Sequence, residues 1–179
     1  WIAFNNAGVV EIKLGNINEA GADIEKANSL APDQAEVINN LGALAMLKGD
    51  NAKAKQMFEK AKKLGANENY NLGVLMIPEG KYSEAVASMK GEKCDYNLAL
   101  ALMLSGNNGE AVKALECAEK NAQVYYLTAV LGARTGNITL MLDNLGMAIK
   151  ADGKMKQEAK NDREFLKFAN TPEFKKLVE

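Results

Sequence analysis

The chain has 179 residues, 47% of them hydrophobic and 25% charged, which are ordinary proportions for a globular protein. Its formal net charge of -1 supplies no overall field for nucleic acid or an acidic membrane surface. Histidine is absent, which removes the usual general acid/base and the commonest zinc ligand, so neither catalysis nor a metal or other cofactor is expected.

In chain order, apolar stretches end at Gly15, Gly49, Gly80, Gly106 and Gly136. Seven residues before each stands a small residue: Gly8, Gly42, Gly73, Ala99 and Ala129. Five residues after each of the first four stands Ala20, Ala54, Ala85 or Ala111, with Met141 in the fifth place. Nine residues after each comes a large apolar side chain: Ile24, Phe58, Met89, Leu115 and Leu145. Alanine follows three later in four of the five, at Ala27, Ala61, Ala118 and Ala148. This order predicts five helical hairpins, about 1–34, 35–65, 66–91, 92–121 and 122–151. Small residues let antiparallel helices approach closely, and glycine closes the first helix of each pair in a left-handed turn. Asn16, Asp50, Asn107 and Asn137 then stand where a side chain can cap the second helix. A single pair cannot bury its apolar face, so stacking is obligatory.

The spacing is uneven, at 34, 31, 26 and 30 residues between successive glycines, so the third to fifth hairpins are compressed. Pro78 should end or kink the first helix of the third hairpin. Lys90-Gly91-Glu92 cuts its second helix short, which predicts an irregular stretch over 78–96. Beyond Asp152-Gly153 the pattern stops. Residues 154–169 read as one amphipathic helix, and Thr171-Pro172-Glu173 starts another. Residues 152–179 are expected to cap the array by covering its last apolar face.

The first pattern, through Ala7-Gly8, Gly15, Ala20, Ile24, Ala27 and Pro32, resembles a nearly complete tetratricopeptide repeat. The second matches through Leu41-Gly42, Ala54, Phe58 and Ala61. The resemblance covers about 1–151, strongly in the first two hairpins and loosely after. It implies an all-α superhelical solenoid that binds a protein or extended peptide in its concave groove, lined by the first helix of each pair.

Some members of that family hold peptides with a ladder of asparagines. Here Asn6, Asn40, Asn71 and Asn97 stand two residues before the small position, with Leu127 breaking the run. A primary amide can both donate to and accept from a peptide backbone. One residue earlier come Asn5, Asn39, Tyr70, Tyr96 and Tyr126, offering amides and then rigid aromatic contact area. Neighbouring positions are apolar: Val9 and Ile12, Ala43 and Met46, Val74 and Ile77, Leu100 and Met103, and Val130. Together they would form a strip larger than a monomer normally leaves bare, so it is expected to be covered by a partner, the protein's own tail or a second copy. The same asparagines can equally serve to bond neighbouring helices. The alternative function is a structural or self-associating spacer in a larger, cell-envelope protein. A family subtype that clamps acidic C-terminal tails is disfavoured, because its basic positions fall on Asn5, Asn67 and Asn71 and only its asparagine, Asn40, survives.

Cys94 and Cys117 fall at opposite ends of the fourth hairpin. Two small buried thiols are the favoured expectation, and a disulfide is the alternative that the hairpin permits. A disulfide would point to an oxidising compartment. The chain opens on Trp1, which points to an export signal, a domain or further repeats upstream, and leaves cytoplasmic and exported or periplasmic locations both open. No apolar run approaches the ~20 residues needed to span a bilayer.

Overall fold

The computed structural model describes residues 1–179 and contains twelve α-helices and one 3₁₀ helix, with no strand. The helices pair as hairpins: α1 (Ile2–Leu14) with α2 (Ile17–Leu30), α3 (Ala35–Leu47) with α4 (Asn51–Lys63), and α5 (Asn69–Met76) with α6 (Tyr82–Ser88). Then follow α7 (Tyr96–Leu104) with α8 (Asn108–Glu116), and α9 (Ala122–Thr135) with α10 (Ile138–Ala151). The chain ends with α11 (Met155–Asn161), the 3₁₀ helix Arg163–Phe168 and α12 (Pro172–Val178). Two compact units result, Trp1–Ser88 and Met89–Glu179. No helix is long and apolar enough to cross a membrane.

The hairpin turns follow from the glycines. Gly15, Gly49, Gly80, Gly106 and Gly136 all have φ between 75 and 89°, where a Cβ would be strained. Past the first four, the next amide reaches back to the helix it has just left, as in Asn16 N to Glu11 O and Asp50 N to Ala45 O, both 2.9 Å. Of the four expected caps, two form: Asp50 accepts from Lys53 N, and Asn137 from Leu140 N, each at 3.0 Å. Asn16 and Asn107 do not cap, because their amides donate instead to Glu11 (2.6 Å) and to Ser105 Oγ (3.0 Å).

In the first unit the small positions and the large apolar ones prove to be contact partners. A Cβ on Gly8 would stand 2.5 Å from Ile24, and one on Gly42 would stand 2.6 Å from the Phe58 ring. Ile24 and Phe58 are fully buried, each flanked by fully buried alanines. The hairpins then stack: α3 lays Val37 on Ile24 and Ala27, with Trp1, Ile12 and Leu41 packed around them. The residues of α1 one repeat earlier than buried Ile38 and Leu44 are Phe4 and Val10, which are 39% and 52% exposed. On α1 that flank faces solvent. Helix α5 ends at Met76, just before Pro78, as the missing proline N–H requires. Glu79 in the turn pairs with Lys81 at 2.7 Å, and that hydrogen bond and charge hold its carboxyl below the ordinary range.

In the second unit α9 and α10 pack closest at a glycine outside the repeat pattern. A Cβ on Gly132 would meet the backbone of Met141, 2.5 Å from its nitrogen. The backbones therefore touch at the one hairpin that carries methionine in place of the recurrent alanine. Cys94 and Cys117 are bonded to each other, with Cα atoms 5.0 Å apart, and both residues are exposed. The expectation of two buried thiols is thus corrected. With α8 only nine residues long, Cys117 falls at its C-cap, clear of the core and beside the segment leading into α7.

The tail also departs from expectation. Residues 154–169 are not one helix, because Asp162 adopts an extended conformation (φ -78°, ψ 126°) and caps the following turn by accepting from Glu164 N at 2.9 Å. The break turns Phe165 and Phe168 inward, where they are 1% and 8% exposed, and Phe165 meets Phe174 of α12 at 5.8 Å between ring centroids.

Candidate functional site

The first unit carries most of the predicted ladder, and its polar contacts decide which residues face outward. Asn5 is fully buried. Its Nδ2 donates to Glu36 Oε1 at 2.9 Å, and its Oδ1 accepts from Asn40 Nδ2 at 2.9 Å. One repeat later Glu68, only 4% exposed, accepts from Asn71 Nδ2 at 2.8 Å. Asn39 completes that cluster, its side-chain amide lying 2.8 Å from the Glu68 carboxylate and 2.9 Å from Asn71 Nδ2. Asn5 and Asn39 therefore fasten one first helix to the next.

In the second unit Tyr126 holds the same place in the repeat and does the same work. Its hydroxyl donates to Asp162 Oδ2 at 2.9 Å, and its ring stands edge-on to Phe165 at 5.7 Å. Burial, and then the Asp162 bond, push the phenol above its ordinary pKa. The tail is further tied to α9 by Arg134 Nη2 to Glu164 Oε1 at 2.5 Å and by Lys167 Nζ to the Ala133 carbonyl at 2.6 Å. Tyr126→Phe should keep the edge-on packing and lose the hydroxyl bond. The expected cost is about 1 kcal/mol in urea denaturation, and no loss would mean that Asp162 finds water at no cost.

The remaining predicted residues divide by unit. In the first, Asn6 is exposed and its side chain makes no bond within the chain, while Asn40 and Asn71 are half-buried. Val9, Ile12, Ala43, Met46, Val74 and Ile77 beside them are half-buried as well, as is Tyr70, which is engaged within the chain. In the second, Tyr96, Asn97 and Leu100 are half-buried, Asn97 has a partner within the chain, and Met103 and Val130 are each only 5% exposed. Burial raises the Tyr96 phenol above its ordinary pKa. The apolar strip is thus closed at Met103 and Val130 and partly open in the first unit.

Reading the sequence missed the acids of these clusters. Glu36 and Glu68 are single carboxylates near the starts of α3 and α5, and nothing in their composition marks them. The available signal was positional, an acid three or four residues ahead of a ladder asparagine. No group of three or more acids or cysteines is placed to hold a metal ion. What the arrangement offers is a rigid row of amides beside apolar side chains, suited to lying against a chain.

The family model for the tetratricopeptide repeat matches residues 3–34 and 35–67. No curated protein sequence matches the chain. Among solved structures, the Cut9 and Hcn1 hetero-tetramer of the APC/C is similar with a TM-score of 0.76 at 12% identity over 99% of this chain, which spans 42% of that one. PilF of Pseudomonas aeruginosa is similar with a TM-score of 0.63 at 15% identity, covering 97% of this chain and 94% of its own. A tetratricopeptide repeat protein from Parabacteroides merdae has a TM-score of 0.63 at 16% identity, over 98% of this chain and 68% of its own. At these identities the likeness is one of fold. Tetratricopeptide folds are in general scaffolds for protein–protein contact and typically not catalytic. The first unit thus carries two matched tetratricopeptide repeats, and the chain has the fold of tetratricopeptide solenoids.

Proposed function

We propose that the first unit holds an extended segment of a partner protein along α1, α3 and α5. The observation that carries this reading is the row Asn6, Asn40 and Asn71, set on successive first helices beside Val9, Ala43 and Val74, which stay only half-buried. Polar groups at fixed spacing can meet the regularly placed N–H and C=O groups of an extended chain, and the apolar neighbours take its side chains. Asn5 and Asn39 support the row from behind by bonding the helices that carry it.

Asn6 offers the cleanest test, because its side chain bonds nothing within the chain. Peptides selected from a random library on the full protein should lose about fivefold in affinity on Asn6→Ala, the worth of one hydrogen bond, with an unchanged helical melting curve. Selected peptides that are indifferent both to Asn6→Ala and to Val9→Glu would end the proposal.

A further inference from the structure

We infer that the ladder in the first unit presents acceptors, so that the segment held there carries lysine or arginine side chains. The inference rests on the groove reading and adds the chemistry of the ligand to it. A carboxylate can only accept, so Glu36 dictates that Asn5 shows it a nitrogen, as the 2.9 Å bond has it. The Asn5 oxygen is then the side turned to Asn40, which must answer with its own nitrogen, also at 2.9 Å. That leaves the Asn40 oxygen without a bond inside the chain. Glu68 imposes the same order on Asn71, whose nitrogen is drawn to the carboxylate at 2.8 Å and whose oxygen is left over. Two rungs of the ladder have therefore lost the amide's usual ambivalence.

Charge runs the same way. Neither Glu36 nor Glu68 forms a salt bridge, whereas the pairs of the first unit involve Lys55, Lys60 and Lys81. Within α1, α3 and α5 the only lysine is Lys13, in the last turn of α1. Lys48, which follows α3, lies with its Nζ near Gly21 of α2. Oxygens left without a bond, beside two carboxylates that form no salt bridge, match an ammonium or guanidinium donor, and they oppose an acidic segment.

The test uses the full chain with its disulfide intact and three short labelled peptides of alternating sequence: lysine–alanine, serine–alanine and glutamate–alanine. Fluorescence anisotropy should show the lysine peptide binding at least about tenfold more tightly than the glutamate peptide. Glu36→Gln keeps an acceptor for Asn5 but frees the order of the amides and removes the charge. It should cost the lysine peptide about tenfold, while Glu59→Gln on α4 leaves binding unchanged. Equal binding of all three peptides, or equal effects of the two substitutions, would overturn the assignment. Tight binding of the serine peptide that is lost on Asn6→Ala would also overturn it, and would leave the groove reading standing.

Discussion

Phe58→Ala is expected to cost the first unit about 4 kcal/mol, the usual loss when a fully buried phenylalanine is emptied to alanine. The ring is 0% exposed and packs with Ala45, Ala54 and Leu75, with Met46 and Leu72 against the cluster. It lies directly over Gly42, so that side of the hole has no side chain to fill it. Against a typical total of about 5–15 kcal/mol, a loss of this size moves a urea midpoint far. The same contact predicts a coupling. Gly42→Ala should destabilise by pressing on the ring, and should cost much less when Phe58 is already leucine, so the two effects will not add. A loss from Phe58→Ala below about 1 kcal/mol would mean that α3 and α4 close over the gap.

The second large effect is covalent. Cys94 and Cys117 are 23 residues apart, and opening a loop of that size should destabilise the second unit by about 3 kcal/mol through the freedom it returns to the unfolded chain. The hairpin has little in reserve, since α7 and α8 are nine residues each and isolated helices of that length are not stable in water. Urea unfolding with and without reductant measures the difference. Cys94→Ser with Cys117→Ser should reproduce the reduced curve and be indifferent to reductant. Coincident oxidised and reduced curves would show that packing alone holds the hairpin. So exposed a bond persists where the surroundings are oxidising.

Much of the fold was legible because its contacts repeat locally. Gly8 with Ile24 and Gly42 with Phe58 are the same contact one period apart, and a period is what a single sequence displays. The site was legible only in part, for reasons of angle and length. Neighbouring residues on a helix differ by about 100° in direction, so Asn5 and Asn6 fall on different sides although both suit a ladder. Only the structure shows Asn5 turned to Glu36 and Asn6 to solvent. Tyr126 was read as a contact for a partner and is bonded to Asp162, whose capping role breaks what had looked like one continuous helix. Gly132 was invisible to the pattern because its neighbour is the backbone of Met141, and the pattern registers side chains.

The bond between Cys94 and Cys117 also governs how far the protein can be stretched. Pulled from its ends, an unfolded chain lengthens by up to ~3.5 Å per residue, so the bridged stretch withholds roughly 80 Å of length until it is reduced. The first unit has no such reserve and can pay out all of its backbone under load. Only in the second unit does reduction change the reach of the chain, so a mechanical tether built on this protein would have one extensible half and one whose length depends on redox state.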